Sequence, residues 1–119
     1  MDEYPYHANY TDKHRKIVLS GIEGIAEILT GNDTPEKQRL LFCMDFYLDP
    51  YYRVDIPHIN DIILVLQNVI VSENPKSVKE EALHLLSAYC WPPFKILEEN
   101  LDKIESCLMP DVLYAINQD

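Results

Sequence analysis

The stretch Leu41-Phe42-Cys43-Met44-Asp45-Phe46-Tyr47-Leu48-Asp49-Pro50 is answered 42 positions later by Leu83-His84-Leu85-Leu86-Ser87-Ala88-Tyr89-Cys90-Trp91-Pro92. Leu41 falls on Leu83, Met44 on Leu86, Tyr47 on Tyr89 and Pro50 on Pro92. In both copies the apolar positions recur at three and four, the period of a helix with one buried face, and proline follows where such a helix must stop. A period near forty with two helices per unit is the pattern of helical-hairpin repeats, because a single pair cannot bury its apolar face without a neighbour. An irregular helical bundle with coincidental spacing is the alternative.

Outward from these two helices the chain reads as all-α. Thr11 to Leu29 carries Val18, Ile22, Ile25 and Leu29 at helical spacing, closed by Gly31-Asn32, with Gly21 and Gly24 weakening it or allowing close packing. Thr34-Pro35, a cap residue followed by proline, opens the helix that ends at Asp49-Pro50, and Phe42 and Phe46 give that helix a second apolar stripe. A Tyr- and Asp-rich loop leads to Pro57 and a helix apolar nearly all round from Ile59 to Val71, which suits a central position. Ser77 and Glu80 have capping-box spacing ahead of Val78, Ala82, Leu85, Leu86 and Tyr89. Phe94, Leu97, Leu101, Ile104 and Leu108 predict a fifth helix, and Asp111 to Asn117 a short sixth. Six helices in three stacked antiparallel pairs, a HEAT- or armadillo-like fragment in one domain over 1–119, is the expected architecture. Residues 11–117 hold the repeats, and an arm over 1–10, with Tyr4, Tyr6 and Tyr10 around Pro5, is a loose tail or a strap on the first pair.

The chain has 119 residues and 20 acidic against 10 basic side chains, a net charge of −10. That field repels nucleic acid and anionic membrane and attracts a basic partner, although it also serves solubility alone. The longest apolar run, Ile62 to Val71, is broken by Gln67-Asn68 and too short to span a bilayer. The first residues have neither the basic start nor the apolar run of an export signal, and Cys43, Cys90 and Cys107 sit singly among apolar neighbours, so a reducing, cytoplasmic setting is expected.

Catalytic chemistry finds little to work with. With 3 glycines there is no phosphate-cradling loop, and no cysteine sits in a nucleophile motif. Glu80 and His84 lie one turn apart but lack a third partner, so neither a metal nor a cofactor is expected; His7 and His14 show no partner, and capping and solvation account for His58 and Asp61. Asp45 and Asp49, one turn apart, are the only carboxylate pair worth weighing for a hydrolase. A binding surface is the stronger reading. At the offset of 42, Gln38 falls on Glu80, Asp45 on Ser87 and Asp49 on Trp91, and second helices of stacked pairs line one concave face. Asp45, Asp49, Tyr51, Tyr52, Asp55, Glu80, His84 and Trp91 are the candidate partner-binding residues, aromatics mixed with charge as in interface hot spots. Trp91 equally suits a buried corner.

On its Pro-bounded helix pairs spaced near 42, its size, its acidity and its lack of catalytic residues, the region from Lys13 to Asn117 resembles the small helical-repeat immunity proteins of bacterial contact-dependent growth inhibition and related polymorphic toxin systems. The resemblance is one of type and rests on no diagnostic motif. It implies a cytoplasmic protein that binds and blocks a cognate toxin domain, frequently a basic nuclease. A general HEAT-like interaction adaptor is the alternative.

Overall fold

The apolar line from Thr11 to Leu29 predicts one helix, but the computed structural model, which describes residues 11–117, divides it at Gly21 into α1 (Asp12–Ser20) and α2 (Ile22–Leu29). Gly21 has φ +135° and ψ −173°, a conformation that only glycine adopts without strain. A Cβ there would meet no atom within 4 Å, so glycine serves the backbone at this position and not close packing. Gly24 is the reverse case, since a Cβ on it would lie 3.1 Å from Cγ2 of Ile17. The break also removes the helical N–H that would have bonded to the Val18 carbonyl. His58 supplies the substitute, its Nε2 donating to Val18 O at 2.8 Å. A histidine that capping and solvation were expected to explain therefore ties the loop before the next helix back to α1.

The remaining elements are α3 (Thr34–Leu48), α4 (Ile59–Val71), α5 (Lys76–Tyr89), α6 (Lys95–Glu99) and α7 (Met109–Asn117), with 3-10 turns at Pro50–Tyr52 and Leu101–Lys103. Among the described residues there is no strand, and no helix is long and apolar enough to cross a membrane. The expected arm over 1–10 lies outside the described residues.

Two helix caps lie upstream of the expected residues, that of α3 by one position and that of α5 by two. α3 is capped by Asp33 and not Thr34: its carboxylate accepts from the Glu36 N–H at 3.2 Å, with Pro35 in the first turn. α5 begins at Lys76 behind Pro75, so the reciprocal Ser77–Glu80 cap is not used, and Glu80 pairs instead with Lys76 at 3.4 Å.

The fifth helix is the larger correction. α6 stops at Glu99 because the Asn100 side chain donates to the Ile96 carbonyl at 2.8 Å, while the Asn100 N–H turns to Leu97 O at 3.2 Å. A side chain that competes for a helix carbonyl ends the helix there. Phe94, Leu97, Ile104 and Leu108 are nonetheless buried, so the three-and-four spacing marked burial correctly and continuity wrongly.

Two compact units divide the chain, Met1–Ile59 and Asn60–Asp119. In the first, α1, α2 and α3 pack on one another around Val18, Ile25, Leu29, Leu40, Leu41, Cys43 and Met44. In the second, α7 packs on α5 and α6, with Val78, Ala82, Leu85 and Leu86 of α5 and Val112 and Ala115 of α7 buried. Each such Val, Leu or Ile stabilises by about 1.5–3 kcal/mol relative to exposure. α4 contributes Ile62, Leu66, Val69 and Ile70 to the interior, while Leu64 is half exposed, so the helix is not apolar-buried all round. Its buried Gln67 has a defined task. Oε1 accepts from the N–H groups of Ile96 at 2.9 Å and Leu97 at 3.3 Å, and so caps α6, whose own N-cap residue Phe94 offers no acceptor.

Candidate functional site

The first unit carries an exposed aromatic ledge where α3 ends. Asp49 terminates the helix and its Oδ1 then accepts from the Tyr51 N–H at 2.9 Å, which folds Pro50–Tyr52 into a 3-10 turn. Arg53, in the left-handed conformation at φ 57°, closes the turn by donating its N–H to Pro50 O. The turn delivers Tyr52 onto Phe46, rings stacked at 4.2 Å, and sets Tyr51 edge-on to Tyr52 at 5.1 Å; Phe46 is also edge-on to Tyr47 at 5.1 Å. Ring pairs of this kind hold one another by about 0.5–1.5 kcal/mol beyond area burial, so the ledge is ordered while remaining open to solvent. Tyr51 is 82% exposed, Tyr52 46% and Phe46 37%.

Five of the expected partner-binding residues fall in this unit. Tyr51 and Tyr52 are exposed as read, and Asp55 is exposed beyond them. Asp45 is half-buried on the same helical turn as Phe46. Asp49 has a structural task, because its carboxylate caps the turn that presents the tyrosines. Phe46, read as part of a second apolar stripe on the helix, belongs to the ledge; its i+6 spacing to Tyr52 becomes a contact only through the turn, which is why the helical pattern did not join the two.

In the second unit Glu80 and His84 are exposed on α5, Glu80 pairing with Lys76 and thereby raising the Lys76 ammonium above its usual range. The His84 ring lies 5.9 Å from that of Tyr89, edge-on. Trp91 is 66% exposed, a surface ring and not a buried corner. Glu80 and His84 also line an open groove of about 320 Å³ between α5 and α7, floored by Leu83 and Leu108 and bounded opposite by Asp111 and Tyr114. Those last two residues were not legible as site residues, since only the docking of α7 on α5 brings them to this place.

The reading of His14 as partnerless is overturned. It is 3% exposed, its Nδ1 accepts from the Thr11 N–H at 3.0 Å, and its Nε2 lies 2.6 Å from Oε1 of Glu36. Since Nδ1 is an acceptor, the proton shared with Glu36 sits on Nε2. The hydrogen bond from His14 holds the Glu36 carboxyl below the usual glutamate range, against the upward push of its desolvation, with Lys13 and Arg39 adding to the lowering. The pair joins α1 to α3, with Arg39 also 3.4 Å from Glu36.

The cysteines divide. Cys43 and Cys90 are buried, and desolvation pushes each thiol up to about 11, whereas Cys107, expected as an apolar filler, is exposed. Among the described residues no three His, Cys, Asp or Glu side chains come together as a metal set.

Compared with protein-family models, with curated proteins and with solved structures, the chain matches none. Its functional reading therefore rests on its own residues: an all-helical chain with an exposed aromatic ledge in one unit and an acid-edged groove in the other.

Proposed function

We propose that this chain is an immunity-type binding protein, which captures a basic toxin domain, such as a nuclease, and neutralises it by occlusion. The observation that carries the reading is the ledge of Phe46, Tyr51 and Tyr52, exposed yet fixed by ring contacts and by the Asp49 cap, on a chain of net charge −10. Rigid tyrosines supply contact area at low entropic cost, and the acidic field accelerates encounter with a basic surface. Asp45 and Asp55 flank the rings as the charged part of the contact, while Asp49 acts by holding the turn.

Glu80, His84 and Trp91 of the second unit are proposed to add to the same partner. The period of 42 between the α3 and α5 stretches supports a finer architecture of stacked helix pairs, HEAT-like in kind. We assign the chain no catalysis, cofactor, nucleic acid or membrane of its own, and place it in the cytoplasm, where such a toxin acts.

The test is binding by isothermal titration calorimetry to the protein encoded by the neighbouring reading frame, with the Tyr51→Ala/Tyr52→Ala double variant and the Asp55→Lys variant beside the wild type. Loss of two exposed hot-spot rings should weaken capture by about 2–4 kcal/mol and charge reversal should slow association. Equal tolerance of these changes and of Glu98→Lys and Glu99→Lys on the outer face of α6 would remove the ledge from the account. A neighbouring protein that binds but is not toxic would make the chain an adaptor.

A further inference from the structure

We infer that the groove between α5 and α7 is a receptor for an arginine side chain presented by the partner. The inference rests on the reading of the chain as a captor of a basic protein and goes beyond it in assigning the chemistry of one contact. Three observations converge. The groove is a concave space of about 320 Å³ lying wholly within the second unit. Its rims carry carboxylates from two different helices, Glu80 on α5 and Asp111 in the first turn of α7. The Tyr114 ring, 67% exposed, stands at the same opening with no apolar role in the interior.

A flat guanidinium suits this set better than an ammonium. It can donate in a fork to a carboxylate while its face lies on an aromatic ring, whereas lysine offers a compact charge that stays more strongly hydrated. Leu83 and Leu108 at the floor give the aliphatic stem of the guest a surface to cover. Glu80 is paired with Lys76 one turn before it on α5 at 3.4 Å, and both partners of that pair are more than half exposed, so an incoming arginine competes only with a weak surface contact.

The experiment uses the full chain and a blocked peptide, acetyl-Gly-Arg-Gly-amide, followed by amide chemical-shift mapping. Acetyl-Gly-citrulline-Gly-amide, matched in shape but uncharged, and acetyl-Gly-Lys-Gly-amide are run alongside. The expected result is saturable shifts confined to α5 and α7 around Glu80, His84, Asp111 and Tyr114, strongest for arginine and absent for citrulline. Asp111→Asn with Tyr114→Leu should weaken them about tenfold or more, the effect of losing one charged contact. Far-UV circular dichroism checks that this variant folds, and Glu80→Gln alone, a milder surface change, should reduce the shifts in the same region. Shifts spread over the acidic surface, equal responses to arginine and citrulline, or full retention in a folded Asp111→Asn/Tyr114→Leu variant would overturn the inference. Tyr51→Ala/Tyr52→Ala should leave the peptide response intact, so failure of the groove and failure of the ledge are separately visible.

Discussion

Gln67→Met is the perturbation whose cost follows most directly from the structure. The side chain is 2% exposed, and Oε1 is the acceptor for the Ile96 and Leu97 N–H groups at the start of α6. Methionine matches glutamine in length and volume, so the change opens no cavity and isolates the polar term. The Leu97 N–H is buried and has no water to turn to, which costs about 1–3 kcal/mol for an orphaned donor; the partly buried Ile96 N–H recovers some solvation and adds about 1 kcal/mol. A total near 2–4 kcal/mol is a large share of the stability of a small domain. Urea unfolding followed by circular dichroism at 222 nm should show this as a lower midpoint with an unchanged slope, and native-state hydrogen exchange should speed at Leu97 before the α5 amides. A loss under about 1 kcal/mol with unaltered Leu97 exchange would refute the cap assignment.

Three further outcomes follow from individual residues. Glu36 has its carboxyl lowered from 4.5 by the His14 hydrogen bond, so its contribution is complete above the unfolded value and lost as pH falls through the folded one. Glu36→Gln should therefore cost about 1 kcal/mol at pH 7, and the gap between variant and wild type in urea midpoints should close below pH 4.5; a gap that persists at low pH contradicts the pairing. Gly21→Ala should destabilise by about 1–3 kcal/mol through backbone strain alone, with Gly24→Ala changing stability by less than about 1 kcal/mol because helix propensity offsets the contact with Ile17. In native protein, iodoacetamide followed by mass spectrometry should label Cys107 and spare Cys43 and Cys90 until urea unfolds the chain.

The helical class and most of the interior were legible because burial imposes a period: Val78, Ala82, Leu85 and Leu86 are buried on α5 where the pattern put them. What pattern missed are events decided by one backbone group. Gly21 in a helical window reads as a weak residue and not as a break, and apolar spacing alone gives no sign that Asn100 competes for the Ile96 carbonyl. The site divides in the same way. Exposed tyrosines next to a Pro turn were visible in the letters, but Phe46 joins them only once Asp49 folds the turn, and Asp111 reaches Glu80's groove only when α7 docks on α5. His14 was opaque for a related reason, since its partner Glu36 lies 22 positions away and no local spacing announces it.

Neutralisation of a basic toxin through the aromatic ledge can be read in rescue of growth. Cells expressing the protein encoded by the neighbouring reading frame are scored with the wild-type chain, with Tyr51→Ala/Tyr52→Ala, and with Glu98→Lys/Glu99→Lys as a surface control. The neighbour should arrest growth, wild type and the surface control should restore it, and the ledge variant, folded and equally abundant, should not. Full rescue by the ledge variant, or a neighbour whose expression leaves growth unaffected, would contradict neutralisation through the ledge.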